Sequence, residues 1–242
     1  MKTRAAVLWG LGEKWEVEEV ELDPPGPDEV LVRLTATGLC HSDEHLVTGD
    51  LPIPLPVVGG HEGAGTVVEV GAGVENVAEG DSVILTFLPS CGHCSYCARG
   101  MGNMCDLGAA LMMGPQIDGT YRFHARGEDV GQMCLLGTFS EYTVVPKASL
   151  VKIDQGTPLD KAALIGCGMM TGFGAVTRTA GVTAGQSVAV IGCGAVGLST
   201  IQSARTAGAV DVIAIEVNPA RLELARSFGA TATVNSATED AV

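Results

Sequence analysis

Val188-Ala-Val-Ile-Gly192-Cys193-Gly194-Ala195-Val196-Gly197 is an apolar run that turns on three glycines at Gly-x-Gly-x-x-Gly spacing. The run before the first glycine reads as a buried strand, and the apolar pattern over 196–207 reads as the helix it feeds. Between a strand and a helix, such glycines permit a tight turn and close backbone approach, with the helix N-terminus facing a pyrophosphate. The uncharged stretch 186–204 is long enough to resemble a membrane span, but a glycine turn at its middle makes it a strand-to-helix corner. A second strand over 210–215 ends on Glu216, a helix follows over 220–228, and a short strand is expected at 233–234. An acidic side chain at Glu216 suits the adenine ribose 2′-hydroxyl and repels a 2′-phosphate, which favours NAD over NADP. Arg221, five residues on, softens that preference. This order belongs to a doubly wound parallel sheet, of which two and a half strand–helix units are only a part.

Upstream of residue 158 the pattern is different. Stretches 7–9, 15–22, 30–37, 66–70 and 83–87 are rich in β-branched and apolar residues and are separated by Gly and Pro turns. Short strands so punctuated predict an antiparallel barrel or sandwich. A Cys- and Gly-rich, loop-like insertion covers roughly 89–131, and residues 159–180 read as helix interrupted by glycines. The expected division is therefore a β domain over 1–157 and a partial coenzyme domain with its connecting helix over 158–242.

The formal net charge of -14 excludes a nucleic acid or an acidic lipid surface as partner, by repulsion. Residues 5–9 are too short an apolar stretch for a signal peptide. Eight cysteines without such a signal point to a reducing, cytoplasmic setting and to metal or catalysis rather than disulfides.

Cys91, Cys94, Cys97 and Cys105 place four thiols within fifteen residues at Cys-x-x-Cys spacing. Four thiolates suit a tetrahedral zinc with no open position, hence a structural site; an iron–sulfur cluster or redox dithiols are the alternatives. His93 and Cys134 are not expected to be ligands. Three further segments are far apart: Cys40-His41-Ser42-Asp43-Glu44-His45, Gly60-His61-Glu62-Gly63, and Gly166-Cys167-Gly168. Singly each has an ordinary reading, Cys167 as a small buried residue and His61-Glu62 as a surface turn. Together Cys, His and Cys make a three-ligand set that leaves a fourth position open.

With the four-cysteine lobe, with Gly59-Gly60-His61-Glu62-Gly63-Ala64-Gly65, with Thr171-Gly172 after Gly166-Cys167-Gly168, and with the glycine turn, the chain resembles the zinc-containing medium-chain alcohol dehydrogenases. The likeness runs from Met1 to the last residues. It implies a mixed α/β chain, a GroES-like β-barrel catalytic domain followed by an incomplete Rossmann domain. It implies two zinc ions and NAD, a small alcohol or aldehyde as substrate, no membrane, and a homo-oligomeric parent. By the same resemblance Cys40, His61 and Cys167 hold a catalytic zinc, with Glu62 an acid near the metal and Asp43 orienting the imidazole. Ser42 would hydrogen-bond the alcohol, and His45 would pass its proton outward. His41 would face the coenzyme pyrophosphate, while Thr171 and Val196 would pack on the nicotinamide. Gly192, Gly194, Gly197 and Glu216 would hold the rest of the coenzyme.

Met1-Lys-Thr, Leu46-Val-Thr-Gly-Asp50, Pro89-Ser-Cys-Gly and Leu135-Leu-Gly-Thr-Phe-Ser140 are most similar to the bacterial nitrosodimethylaniline-dependent group, with mycothiol-dependent formaldehyde dehydrogenases as the alternative. Met169-Met170 departs from the smaller or hydroxylated residues of relatives. A zinc-free, quinone-reductase-like enzyme would lack Cys40, His61 and Cys167. The chain is expected to be C-terminally truncated, so an inactive zinc-binding fragment is the third reading.

Overall fold

The computed structural model describes residues 1–240, which divide by backbone packing into two units, the boundary falling between Gly166 and Cys167. In the first, β1 (Lys2–Leu8), β2 (Glu16–Leu22) and β3 (Glu29–Thr37) lead into a short helix, α1 (His41–Thr48). Strands β4 (Val57–Val58), β5 (Gly63–Val70) and β6 (Ser82–Leu85) precede the cysteine lobe, which is built of short 3-10 turns. After it come β7 (Phe123–Ala125), β8 (Glu128–Gln132), β9 (Tyr142–Pro146), β10 (Leu150–Ile153) and the single turn α2 (Leu159–Ala162). Strands β1, β2, β7, β8 and β4 close a barrel, and β10-β6-β5-β3-β9 form an antiparallel sheet.

The alternation along β3 lets one strand serve two hydrophobic clusters. Leu31 enters a cluster with Val7, Val20, Leu22, Phe123 and Val130, while Val30 and Val32 join Val67, Val83, Leu85 and Val145. Successive side chains of a strand point to opposite faces, so the first half of β3 is buried on both. Each such Val or Leu contributes on the order of 1.5–3 kcal/mol.

Two expectations are corrected. The insertion read as loop over 89–131 contains β7 and β8, which close the barrel; β7 pairs with β2 through Leu22↔Phe123. Buried Arg122 donates from Nε to Glu29 Oε2 at 2.7 Å, pinning the entry to β7 against the start of β3. The division expected after residue 157 falls after Gly166 instead. Ala162 and Ala163 bury against Ala64 and Ile84, so residues 158–166 pack with the β domain.

In the second unit α3 (Gly168–Gly174) runs into a π-helical turn (Ala175–Thr179), followed by β11 (Ser187–Ile191) and α4 (Ala195–Thr206). Then come β12 (Asp211–Glu216), α5 (Pro219–Ser227) and β13 (Ala232–Asn235). All three strands are parallel, in the order β13-β12-β11, as in the first half of a dinucleotide-binding sheet. Val190, Val212 and Ala214 pack with Ile201, Ala204, Leu222 and Ala225 of the two helices. Helix α5 starts where sequence chemistry places it. The Asn218 side chain accepts the Ala220 N–H at 2.9 Å, and Pro219 occupies the first turn, where no N–H is missed.

Candidate functional site

Cys40 caps α1 in an extended conformation, and Asp43, three residues on, reaches back so that its Oδ2 accepts the Cys40 N–H at 2.9 Å. The other oxygen of the same carboxylate, Oδ1, lies 3.1 Å from His61 Nδ1. Asp43 and His61 are both buried, so this contact is shielded from water and holds the ring as an Nδ1–H donor. Nε2 is then the nitrogen able to ligate a metal as part of a neutral imidazole. The two segments meet because β3 and β5 pair antiparallel up to Thr37↔Gly63, which sets Cys40 and His61 at the same end of the sheet.

Cys40 Sγ, a His61 ring nitrogen and a Glu62 carboxylate oxygen lie within 4.8 Å of one another. Ser42 Oγ is 3.6 Å from Cys40 Sγ. Burial alone would push the Cys40 thiol up; the Ser42 amide and hydroxyl and the His61 ring outweigh it, and the net shift is downward, toward thiolate. Phe87 meets the His61 ring edge-to-face at 5.8 Å, an apolar wall on that side. His61 and Glu62 are 3% and 4% exposed, so this turn is interior rather than a surface feature.

The remaining predicted residues are placed as follows. His45 lies one helical turn from His41, with ring centroids 4.7 Å apart, and its Nδ1 is 3.3 Å from Asp50 Oδ2. Asp50 also accepts the Thr48 hydroxyl at 2.7 Å, and its carboxyl is held below the ordinary range, first by Thr48 and then by His45. Cys167 opens the second unit, directly after buried Gly166, and its carbonyl accepts the Thr171 hydroxyl at 2.9 Å. Thr171 and Val196 are exposed within that unit.

The four thiols of the lobe converge. Cys91 Sγ to Cys97 Sγ and Cys94 Sγ to Cys105 Sγ are each 4.0 Å, and all four ligand atoms lie within 4.8 Å of one another. A zinc–sulfur bond of about 2.3 Å gives a tetrahedron with edges of about 3.8 Å, so the cage fits zinc. Backbone N–H groups of Cys91, Cys94 and Cys97 point at the sulfurs of Cys105, Cys91 and Cys94, at 3.4, 3.3 and 3.4 Å. Such donors favour thiolate, and the Cys94 thiol is pulled down to about 6, first by the Cys97 N–H. Burial pushes the Cys105 thiol up to about 11. His93 turns Nδ1 toward the Cys91 carbonyl at 2.9 Å, and Cys134 is buried among apolar residues with Leu8, Leu46 and Val57.

At the glycine turn, a Cβ on Gly197 would lie 1.9 Å from the Gly192 carbonyl, so only glycine lets α4 begin so close to β11. Buried Glu216 accepts the Cys193 N–H on Oε2 at 2.9 Å and those of Val217 and Asn218 on Oε1 at 2.8 and 3.1 Å. These donors, Cys193 first, hold its carboxyl below the usual range. Oε2 has lone-pair capacity left for a ribose hydroxyl. Arg221 approaches it at 3.8 Å.

The alcohol dehydrogenase GroES-like domain matches residues 26–155, and the zinc-binding dehydrogenase family matches 195–242. The chain belongs to the alcohol dehydrogenase family defined by that GroES-like domain. It is 51% identical over 233 residues to alcohol dehydrogenase B of Mycobacterium tuberculosis, covering 96% of this chain and 62% of that protein. It is 48% identical over 241 residues to the NDMA-dependent alcohol dehydrogenase of Amycolatopsis methanolica, covering all of this chain and 65% of that one. An alcohol dehydrogenase zinc-binding domain protein from Burkholderia ambifaria superposes with a TM-score of 0.93 at 40% identity, over 99% of this chain and 65% of its own. The chain thus spans just under two thirds of the length of the relatives it matches.

Proposed function

We propose that the protein serves reversible oxidation of an alcohol to an aldehyde by hydride transfer to NAD, with zinc. Asp43 carries this reading: one buried carboxylate organises both the backbone of Cys40 and the ring of His61, which a purely structural histidine does not need. Cys40, His61 and Cys167 would hold the catalytic zinc, with buried Glu62 beside it, and Cys91, Cys94, Cys97 and Cys105 the structural one. Bound, zinc supplies Lewis acidity toward an alcohol oxygen and NAD supplies the hydride acceptor.

The chain's own residues then do three things. Ser42 presents a hydroxyl beside Cys40 that can accept the alcohol proton as it gives up its own, and His45 with Asp50 offers the released proton a route to solvent. Phe87 excludes water from one side of His61. Glu216 and the turn at Gly192, Gly194 and Gly197 would seat the adenosine and pyrophosphate of NAD, and the family resemblance adds His41, Thr171 and Val196 as coenzyme contacts. The relative from Amycolatopsis methanolica supports the nitrosodimethylaniline-dependent branch. Cysteines placed as two ligand sets suit a reducing, cytoplasmic setting.

Calorimetric titration of the zinc-loaded protein tests the coenzyme part. NAD is expected to bind at least about tenfold more tightly than NADP, since a buried carboxylate repels the 2′-phosphate. Glu216→Gln should narrow that ratio mainly by weakening NAD. Equal binding of the two nucleotides, or none of either, would count against the assignment.

A further inference from the structure

The segment Leu135-Leu-Gly-Thr138-Phe-Ser140 has no part in the chemistry just described, yet it lies against the turn that carries His61 and Glu62. Thr138 N–H donates to the Gly60 carbonyl at 3.0 Å, and Phe139 N–H to the Gly59 carbonyl at 2.9 Å. The Thr138 side chain fills the space two glycines leave open. A Cβ on Gly60, whose φ is +87°, would sit 2.5 Å from Thr138 Oγ1; one on Gly63 would sit 2.8 Å from its Cγ2.

From there the hydroxyls form a chain. Thr138 Oγ1 is 2.8 Å from Thr37 Oγ1, and Thr37 Oγ1 donates to the Glu62 carbonyl at 2.9 Å. A hydroxyl has one hydrogen, so while Thr37 donates to Glu62 it accepts from Thr138. The same carbonyl accepts the Gly38 N–H at 2.8 Å. Thr37 stands three residues before Cys40, and Glu62 directly follows His61. The hydroxyl pair therefore braces the two ligand-bearing segments at a fixed separation, beyond the last pairing of β3 and β5.

The support behind Thr138 is itself overdetermined. Cys134 and Leu135 hold left-handed φ values of 55° and 63°, uncommon for side chains of their size. Buried Gln116 and Gln132 hold that bend by donating to the Leu135 carbonyl at 3.0 Å and the Leu136 carbonyl at 3.2 Å. Strained backbone persists only where its surroundings impose it. Here the bend delivers Thr138 to the metal turn.

We infer that Thr37 and Thr138 are positioning residues for the Cys40–His61 metal site, Thr37 bracing the Glu62 carbonyl and Thr138 orienting the Thr37 hydroxyl. The inference rests on the metal assignment proposed above, and the test separates the two. Zinc dissociation constants would be measured by chelator competition on the intact chain for the parent, Thr37→Val, Thr138→Val, the double variant and Thr37→Ser. His61→Ala and thermal unfolding are run in parallel. Loss of a residue that supports a metal ligand typically costs on the order of tenfold to a hundredfold in affinity.

Thr37→Val is expected to weaken the Cys40–His61 zinc about tenfold, with the four-cysteine zinc and the thermal midpoint unchanged. Thr138→Val should weaken the same zinc, the double variant should be no worse than Thr37→Val, and Thr37→Ser should restore parental affinity. An affinity within twofold of the parent in Thr37→Val overturns the inference, as does equal weakening in Thr37→Ser or of both zinc sites. If Thr37→Val does not fold, Thr138→Val, which keeps the shape of the buried side chain, decides by the same criteria. If His61→Ala retains both zinc ions, the metal assignment itself has failed.

Discussion

His61→Ala is expected to take the protein from two zinc ions per chain to one, and to lower any NAD-linked alcohol oxidation by three orders of magnitude or more. The metal loss follows from geometry. His61 supplies the only imidazole of its cluster, and its removal leaves the buried Asp43 carboxylate with the Cys40 N–H alone among the partners described above. The activity loss follows from magnitude, since Lewis-acid stabilisation is worth several kcal/mol and each 1.36 kcal/mol is about tenfold in rate. The fold should survive, because the two largest hydrophobic clusters of the first unit include no residue of this turn. Elemental analysis and circular dichroism on one preparation check both points. A folded His61→Ala protein that retains two zinc ions would contradict the assignment.

Cys94→Ser should have the second largest effect, of a different kind. Three sulfurs and a hydroxyl hold zinc poorly, and a structural zinc is worth on the order of 10–16 kcal/mol in isolated zinc-finger peptides. The lobe has little else to order it: from Cys91 to Ala110 it is short 3-10 turns, with Cys105 its one buried side chain. Limited proteolysis is expected to cut the variant within residues 91–110 while leaving barrel and sheet intact. The Cys40–His61 zinc should remain. Unchanged protease resistance, or unchanged zinc content, would show that the four thiols do not form a metal cage.

The sequence was most legible where local pattern and tertiary role coincide. Strands β11 and β12 and helices α4 and α5 were expected to within a residue or so at their ends, because each joins an apolar run to glycine or N-cap chemistry in the segment itself. Strands β7 and β8 were not legible. The stretch 122–132 is Arg-Phe-His-Ala-Arg-Gly-Glu-Asp-Val-Gly-Gln, with few apolar positions, and its strand character comes from pairing with β2 a hundred residues earlier. The division at Gly166 was hidden for a similar reason, since Ala162 and Ala163 carry no sign of which unit they pack on.

For the site, residue types and spacing named four thiols, and these lie within 4.8 Å of one another. Cys40 and His61 were nameable only together, because it is the β3–β5 pairing that brings their segments to one place. Asp50, Phe87, Thr37 and Thr138 left no signal. A threonine in a strand reads as a strand former, and nothing local distinguishes one whose hydroxyl braces a distant carbonyl.

The zinc content of the unmodified chain, purified from a zinc-replete host and measured by elemental analysis, tests the account at its centre. Two tightly held zinc ions per chain are predicted, one in the four-cysteine lobe and one at Cys40 and His61. A single ion that stays in His61→Ala and is lost in Cys94→Ser would leave the lobe standing and contradict the catalytic centre.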